Sequence, residues 1–298
     1  MPFVKKPFYI KKPIKAFLFL IRQFNLTQGE AQRFIDKGRV IINGVSIYDK
    51  SATIKGDIEI VYFEPKGRGV KPIFQNKDFL VYDKQSGVLT HPNTIATEYS
   101  MLDEIRAYSG ANANATHRID METSGLLLAS RHKKAEQFLK SSFERKTIQK
   151  YYLAWVKGKL TEPFVVEEAI KIRNDYSTNK HKVEISEDGK YAKTEFRPIK
   201  YNKKYNTTLV ECKPLTGRTH QIRIHLFHVK HPILGDPIYG TDFKYATKYL
   251  DGTISQNERY KTTGATRLLL HANSLEFSYN NKFHIISKVD FENVSLIF

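Results

Sequence analysis

Apolar residues near the N-terminus recur with the period of an amphipathic helix. Thr27-Gln-Gly-Glu30 fits a capping box, in which the Thr27 side chain accepts from the free amide three residues on and Glu30 reaches back. The apolar residues that follow are three and four positions apart, and Gly38 is a typical helix stop. We therefore predict a helix between Thr27 and Gly38, preceded by a short apolar helix at Ile14–Phe24.

After Gly38 the apolar residues alternate with a period of two, which is typical of β-strands. Val40–Ile42 and Val45–Ile47 flank the dipeptide Asn43-Gly44, which is the strongest short signal for a tight β-hairpin. Asp57–Phe63 predicts a further strand. Two helices followed by a hairpin and a strand indicate a small αβ unit at the N-terminus.

The rest of the chain is richer in strand patterns than in helix patterns. Helices are predicted after Ser100, around Ala135–Ser142 and at His220–Val229, and residues 241–264 read as a polar surface excursion. Strands are predicted at Phe79–Tyr82, Leu126–Ala129, Tyr151–Val156, Val165–Ile172, Ala192–Ile199, Thr207–Cys212, Leu268–Leu270, Leu275–Tyr279 and Phe283–Val289. Because the strands cluster, we expect an α+β fold with a large mixed or antiparallel sheet and flanking helices.

Charge divides the chain into the same two parts. Its 298 residues carry a net charge of +17, and residues 1–72 hold 14 Lys+Arg against 6 Asp+Glu, which makes +8. The first 15 residues contain five lysines and no acid, and we expect a flexible arm there. Residues 64–72 are rich in Pro, Gly and charge, as a linker would be. The predicted domains are therefore a small basic domain with its linker, 1–72, and a large domain, 73–298.

Composition narrows the partners and the compartment. So large a basic excess suits a polyanion such as RNA, although charge alone does not separate RNA from DNA or an acidic membrane. The longest apolar run, Ala16–Ile21, is far shorter than the roughly 20 residues that span a bilayer, so we expect no membrane partner. Cys212 is the only cysteine, which excludes an internal disulfide and favours the cytoplasm.

Three separated stretches carry the candidate chemistry: residues 116–125 (THRIDMETSG), 150–158 (KYYLAWVKG) and 215–225 (LTGRTHQIRIH). In most proteins an Asp beside an Arg is a plain ion pair, so Asp120 alone decides nothing. Other reaction types lack their motifs: Ser124 is not in a G-x-S-x-G elbow, and the chain contains no P-loop and no G-x-G-x-x-G.

Three histidines, His220, His225 and His228, raise the question of zinc. On a helix the first two project about 140° apart, since the period is 3.6 residues. No H-E-x-x-H pattern is present either. We therefore predict no metal site and expect these histidines to pack, to form structural hydrogen bonds or to contact RNA.

The three stretches together resemble the RluA-type family of RNA pseudouridine synthases. The family pattern H-R-L-D-x-x-T-S-G matches residues 117–125 with Ile119 for Leu, and T-G-R-x-H-Q-[LI]-R-x-H matches residues 216–225 completely. K-x-Y-x-A-x-V-x-G matches residues 150–158, and residues 231–240 and 267–272 add two more blocks in the same order. Met121 stands where the family usually has Arg, and Lys84-Gln85 replaces the usual Lys-Pro.

This resemblance implies a reaction and its residues. Uridine in RNA would be isomerised: the glycosidic bond to nitrogen breaks, the uracil rotates, and a carbon–carbon bond forms. Asp120 would be the essential carboxylate, acting as nucleophile or base, with Arg223 as the arginine that pairs with it. Tyr152 matches the tyrosine stacked on the target base. No redox change or net hydrolysis occurs, in keeping with the absence of any cofactor signature.

Further residues are expected to bind RNA. The resemblance implies that Arg118 levers or replaces the flipped nucleotide and that Arg218 contacts phosphate or supports its loop, and His220 is a third candidate. The N-terminal segment QRFIDKGRVIINGVSI resembles the ribosomal-protein-S-four-like RNA-binding domain. Its candidate contacts are Arg33, Lys37 and Arg39.

Several alternatives remain open at this stage. Large-subunit (23S) ribosomal RNA is the expected substrate, because family members with this appended domain often act there, and transfer RNA is the alternative. A non-catalytic RNA-binding or ribosome-assembly factor would have no need of Asp120. A nucleoside hydrolase would need a second acid, for which Glu122 is the nearest candidate. We expect a monomer by default.

Overall fold

A computed structural model describes residues 2–293, and residues 3–63 form a four-stranded sheet covered by two helices. The elements are β1 (Phe3–Lys15), α1 (Ala16–Phe24), α2 (Gln28–Asp36), β2 (Val40–Ile42), β3 (Val45–Ile47) and β4 (Thr53–Phe63). The strand order is β1-β4-β2-β3. The predicted capping box is present, because the amide of Glu30 donates to Thr27 Oγ1 and the amide of Thr27 donates to Glu30 Oε2.

The expectation of a flexible basic arm was wrong. Residues 3–15 are strand β1, which pairs antiparallel with β4 from Phe3 opposite Phe63 to Lys15 opposite Thr53. The five lysines concealed an alternating pattern, in which Phe8 and Ile10 pack into the core of this domain. Ladder hydrogen bonds and this buried face order the segment despite its charge.

The predicted linker is held against the large domain. Helix α3 (Met101–Ser109) presents Asp103 and Glu104, whose side chains are buried. The backbone amide of Lys66 donates to Asp103 at 3.1 Å, and the amides of Arg68 and Val70 donate to the two oxygens of Glu104. A second tie is the ion pair of Lys133 with Glu30 at 3.0 Å.

The large domain contains the other helices and strands of the described residues. Besides α3 they are β5 (Phe74–Gln75), β6 (Phe79–Lys84), β7 (Asn114–Ala115), β8 (Ser124–Ser130), α4 (Lys133–Glu144), β9 (Gln149–Lys157), β10 (Phe164–Glu167), β11 (Ile170–Ile172), β12 (Val183–Ile185), β13 (Lys193–Asn202), β14 (Thr207–Pro214), α5 (Gln221–His228), α6 (Phe243–Leu250), α7 (Gln256–Thr263), β15 (Leu270–Tyr279) and β16 (Asn281–Ile286).

Ten of these strands form one mixed sheet, which confirms the predicted α+β class. The main path runs β10-β13-β14-β9-β15-β8-β6-β5, with β16 on β15 and β7 on β8. Its pairs are antiparallel except β8 with β15, where Gly125 lies opposite Ala272. The core centres on Trp155, Phe79 and Phe196, all almost fully buried.

Three predicted elements differ in detail. The strand expected at Val165–Ile172 is two short strands, β10 and β11, and β11 leaves the main sheet to pair with β12 in a separate hairpin. The two strands predicted between 268 and 279 are one continuous strand, β15. The excursion at 241–264 forms helices α6 and α7. Within residues 2–293, no helix combines the length and apolar character needed to cross a membrane.

Candidate active site

Asp120 lies in the loop between β7 and β8, just before the start of β8, an interior strand of the large sheet. The amide of Thr123 donates to the carbonyl oxygen of Asp120 at 3.1 Å, which closes a tight turn after the acid. Gly125 follows with a φ of +105°, and a Cβ there would lie 2.3 Å from the carbonyl oxygen of Ala272. Only glycine lets β8 approach β15 so closely, and this approach sets the position of the Asp120 turn.

Arg223 is the cation closest to Asp120, but its main partner is Asp236. Nη1 of Arg223 is 3.5 Å from Oδ2 of Asp120, whereas Nε and Nη2 donate to the two oxygens of Asp236 at 2.7 and 2.8 Å. Oδ1 of Asp236 also accepts the backbone amides of Ile238 and Tyr239. The carboxylate of Asp236 thus locks the guanidinium in place and leaves one nitrogen directed toward Asp120.

The two carboxylates around Arg223 differ in burial. The side chains of Arg223 and Asp236 are 3% and 1% exposed, whereas that of Asp120 is 29% exposed. Burial works to lower the pKa of Arg223, but the Asp236 carboxylate outweighs it, and the pKa lies above its ordinary value. Arg223 is therefore a permanent, immobile cation, and Asp120 stands beside it with oxygen surface open to a ligand.

A small cavity brings the predicted catalytic residues together. Its volume is about 110 Å³, and Asp120, Tyr152 and Arg223 all line it. Tyr152 lies on β9, and burial, followed by the nearby carboxylate of Asp120, raises the pKa of its phenol. The phenol therefore stays neutral at neutral pH. Arg118, Arg218 and His220, predicted as RNA contacts, line the same cavity.

His220 has a neutral imidazole at this site. Its backbone is left-handed, with a φ of 52°, immediately before α5. Nε2 is 3.8 Å from Oδ2 of Asp120, and Nδ1 is 2.9 Å from the hydroxyl of Tyr239. Burial, followed by the charge of Arg223, lowers the pKa of His220 far below its ordinary value. The cation beside Asp120 is therefore Arg223, while the neutral imidazole of His220 adds no charge and forms its hydrogen bond with Tyr239.

His225 packs as a structural residue. It is completely buried, with Nδ1 2.9 Å from the hydroxyl of Thr194 and Nε2 3.1 Å from the carbonyl oxygen of Glu168. Burial lowers the pKa of His225 to about 4. Among residues 2–293, no three His, Cys, Asp or Glu side chains are grouped so that they could hold a metal ion.

The sequence patterns did not reveal the role of Lys84, which forms hydrogen bonds that hold the Asp120 loop. Lys84 is 1% exposed, and its Nζ donates to the carbonyl oxygens of Gln85, Val88 and Met121 at 3.0, 2.8 and 3.0 Å. Burial lowers its pKa to about 7, and the charges of Asp120 and Glu122 oppose this shift. Three donors used on three carbonyls fix the backbone directly after Asp120.

Glu122 joins the same loop to the excursion. Its Oε2 accepts from Nη2 of Arg259 on α7 at 2.7 Å, and its Oε1 accepts from the hydroxyl of Tyr249 on α6 at 2.6 Å. Burial raises the pKa of Glu122, but Arg259 and Tyr249 outweigh it and lower the pKa overall. This acid is bound to its two partners, so the geometry gives no support to its use as the second acid of a hydrolase.

Asp236 and Lys84 were not predicted as site residues, and Glu122 was named only as the candidate second acid of a hydrolase. Asp236 lies within a block that matched the family pattern, but its position suggested no partner because Arg223 is not its neighbour in sequence. Lys84 ends a strongly apolar strand, which is an unusual place for a lysine. A charged residue inside a buried apolar context was the available indication.

The three residues predicted to contact RNA from the N-terminal domain differ in their exposure to solvent. Arg33 and Lys37 are exposed around the end of α2. Partial burial, followed by repulsion from Arg39 and Arg33, lowers the pKa of Lys37, so the three cations form a cluster. The guanidinium of Arg39, however, lies over the rings of Phe3 and Phe34 at 4.7 and 5.4 Å and serves packing.

Comparison with known proteins identifies the family. The family model described as RNA pseudouridylate synthase matches residues 78–228, a span that includes Asp120, Tyr152 and Arg223. The chain belongs to this family. Its similarity to ribosomal large-subunit pseudouridine synthases C and D places it among the RluA-type enzymes, as the sequence motifs indicated.

Similar pseudouridine synthases cover much of the chain. An uncharacterized RNA pseudouridine synthase from Helicobacter pylori (strain J99) is 38% identical over 289 residues, 96% of each chain. Ribosomal large subunit pseudouridine synthase C from Pasteurella multocida is 34% identical over 70% of this chain and 60% of its own length. The mitochondrial tRNA pseudouridine(32) synthase from Saccharomyces cerevisiae is 33% identical over 80% of this chain and 53% of its own length.

A solved structure has the same fold. Human RNA Pseudouridylate Synthase Domain Containing 1 superposes with a TM-score of 0.59 at 24% identity, covering 76% of this chain and 86% of that one. The chain is therefore an RNA pseudouridine synthase, and its large sheet is the sheet of that family.

Proposed function

We propose that this pseudouridine synthase modifies uridine in large-subunit ribosomal RNA, with Asp120 as the essential carboxylate. One observation carries the residue assignment: an acid that is 29% exposed in a cavity lies 3.5 Å from a buried guanidinium whose other nitrogens are fixed by Asp236. Such a fixed positive charge is already oriented to interact with negative charge at the reacting centre. An ionised carboxylate at this position can attack the sugar or accept a proton.

The other site residues take supporting roles in this proposal. A base inside a folded RNA must leave its stack to be reached, which costs a few kcal/mol. Tyr152 stacks on the everted base, and Arg118 and Arg218 contact the backbone at the mouth of the cavity. During the reaction the bond from C1′ to N1 breaks, a bond from C1′ to C5 forms, and the proton lost from C5 is balanced by one gained at N1.

Ribosomal RNA is favoured as the substrate by two features. Relatives from several bacteria are named as large-subunit enzymes, including the one from Pasteurella multocida. The exposed cations Arg33 and Lys37 on the small domain suit a highly structured RNA, in keeping with its S-four-like sequence pattern. Transfer RNA is the second candidate, because the yeast relative is named for a transfer RNA site. The single buried cysteine fits a cytoplasmic setting.

An Asp120→Asn variant tests the catalytic assignment. Wild type, Asp120→Asn and a matched control, Asp188→Asn on an exposed loop, are incubated with unmodified ribosomal RNA and with unmodified transfer RNA, and pseudouridine is mapped chemically. We expect product from wild type and the control on ribosomal RNA and none from Asp120→Asn. Equal product from Asp120→Asn would discard the assigned acid, and product on transfer RNA alone would replace the proposed substrate.

A further inference from the structure

Two large grooves open from the cavity that holds Asp120. Their volumes are about 890 and 880 Å³, against about 110 Å³ for the cavity itself. The residues common to all three spaces are Arg118, Gly217 and Arg218. The two grooves therefore leave the cavity in different directions and meet at this pair of arginines.

The first, which we call the hairpin groove, lies between the loop of the β11–β12 hairpin and helix α6. Tyr176, Lys180 and Lys182 line it from the hairpin, and Tyr249 and Leu250 line it from α6. Nζ of Lys180 lies 4.7 Å from the ring centre of Phe243, at the start of α6, which ties the two walls together. The ring of Tyr176 is 39% exposed.

The hairpin groove contains two acids, and each lies beside an arginine. Asp120, which faces Arg223, and Glu122 line it together with four further cations, Arg118, Arg218, Lys180 and Lys182. Because Glu122 is bound to Arg259, its charge is largely offset. A groove with exposed aromatic rings and a surplus of cations suits single-stranded nucleic acid, whose bases stack on rings while its phosphates meet the cations.

The second, which we call the strand groove, lies between the end of α4, the starts of β9 and β13 and the end of β14. Its lysines are Lys146, Lys150, Lys193 and Lys213, and the acid among its lining residues is Glu144. Lys193 pairs with Glu167 at 2.6 Å and Lys213 with Glu195 at 3.7 Å, so these two cations are partly satisfied. Phe143 and Tyr191 supply aromatic surface, and Tyr191 is 51% exposed.

An internal nucleotide of an RNA chain carries a phosphate on each side, so its base cannot occupy a cavity unless the backbone leaves the mouth in two directions. The protein offers two exits, and both are lined with cations and aromatic rings. We infer that the nucleotides on one side of the target uridine lie in the hairpin groove and those on the other side lie in the strand groove. The inference rests on the proposed function.

This assignment specifies the class of substrate. The segment around the target is single-stranded on both sides, as in a loop or bulge, since a duplex would not separate into two grooves. Arg118 and Arg218 face the two phosphates that flank the target. The lysines of each groove then contribute to binding only when nucleotides are present on the corresponding side.

The test crosses two groove variants with two truncated RNAs. Lys180→Glu with Lys182→Glu alters the hairpin groove, Lys146→Glu with Lys213→Glu alters the strand groove, and Lys203→Glu with Lys204→Glu, on the exposed turn between β13 and β14, controls for charge. The RNAs are a ribosomal fragment around the mapped uridine and two versions cut back to the target on the 5′ or the 3′ side. KM and kcat are measured for each combination.

On the full fragment we expect each groove variant to raise KM about tenfold while the control stays near wild type. Removing one lysine–phosphate interaction also reduces the salt slope of binding by about 0.7. When the RNA is cut back on one side, the rise in KM caused by one groove variant should disappear, while the rise caused by the other should remain. Cutting back the opposite side should give the reverse. The assignment is overturned if both rises in KM disappear with the same truncation, or if both remain with either truncation.

Binding measurements separate this inference from the proposed function. Each groove change is combined with Asp120→Asn, and binding to the full single-stranded fragment and to a duplex of the same sequence is followed by fluorescence anisotropy. The groove assignment is wrong if the groove variants bind the single strand as tightly as the charge control does. It is also wrong if a protein with wild-type grooves binds the duplex more tightly than the single strand. Neither result depends on turnover. Weaker binding in both groove variants supports it even if another RNA proves to be the substrate.

Discussion

Buried and exposed cations of this protein use positive charge in opposite ways. In the large domain, Arg223 and Arg259 are buried, and each has acceptor atoms fixed around it. In the small domain, Arg33 and Lys37 lie on the open surface. A buried cation with rigid partners can fix the position and the ionisation of a neighbouring acid, whereas an exposed cation attracts a polyanion and adds little to stability.

The largest expected effect comes from breaking the pair that fixes Arg223. Asp236→Asn removes the charge opposite a buried guanidinium and frees it to move onto Asp120. We expect the free energy of unfolding to fall by about 3 kcal/mol and kcat to fall about 100-fold. Urea unfolding and pseudouridine formation measure the two effects.

Asp242→Asn is the matched control for that change. Asp242 caps α6 by accepting from the amide of Tyr245 at 2.7 Å, and asparagine caps a helix equally well. Stability and activity should both stay near wild type. If Asp236→Asn behaved like this control, a buried partner for Arg223 would be unnecessary and the contrast between buried and exposed charges would fail.

The next effect compares a buried ion pair with an exposed one. Glu122→Gln leaves Arg259 without its carboxylate, and we expect a loss of about 2 kcal/mol in urea unfolding. Glu258→Gln breaks the pair of Lys248 and Glu258, whose side chains are 44% and 38% exposed, and should cost less than about 1 kcal/mol. Similar losses for both pairs would contradict a special role for burial.

Acid stability provides a third comparison. Burial lowers the pKa of His225 to about 4, so between its ordinary pKa of about 6.5 and about 4 the unfolded chain binds a proton that the folded chain does not. Stability therefore falls as pH falls through this window, by up to about 1.4 kcal/mol per pH unit from this group. His225→Gln should make the fall less steep in urea unfolding from about pH 7.5 to about pH 4.5.

His284→Gln is the counterpart, because the His284 side chain is 55% exposed. As a control for replacing a histidine by glutamine, it should leave the free energy of unfolding at about pH 7.5 within about 0.5 kcal/mol of wild type. The slope, rather than the stability at one pH, is the quantity to compare, since His225→Gln also removes the hydrogen bonds of the imidazole. An unchanged slope in His225→Gln would show that the imidazole titrates similarly in both states.

The smallest effect on stability should come from the small domain. Arg33→Glu with Lys37→Glu changes exposed side chains, and we expect unfolding to stay within about 0.5 kcal/mol of wild type. RNA affinity should fall, and the slope of binding against salt should drop by about 1 for each phosphate that the variant no longer binds. Lys203→Glu with Lys204→Glu carries the same charge change elsewhere, and an equal fall in RNA affinity there would remove the small domain from the binding surface.

Local patterns predicted local structure well. The capping box at Thr27, the hairpin around Asn43-Gly44 and the helix after Ser100 all lie where the sequence indicated, because their signals are contained within a few residues. Strand β1 was missed because its lysines drew attention away from its alternating apolar positions. The break between β10 and β11 has no composition signal, since both halves read as one β-rich run.

The same division between local and long-range features applies to the candidate site: its residues were predictable from motifs, but their contacts were not. Asp120, Tyr152 and Arg223 were predicted from motifs in three parts of the chain, and the fold brings them to one cavity. The pairing itself could not be read from the motifs. Arg223 holds Asp236 more closely than Asp120, and this depends on how the turn that follows α5 folds back against that helix.

The hydrogen bonds that hold the segment 64–72 bear on the distance between the two proposed RNA contacts. Three backbone amides of residues 66–70 are anchored on the side chains of Asp103 and Glu104 in the large domain. We therefore expect an RNA that contacts both the end of α2 and the cavity of Asp120 to hold its target uridine at a constant distance from the first contact. The spacing between these two contact points along the RNA would then help to select the substrate.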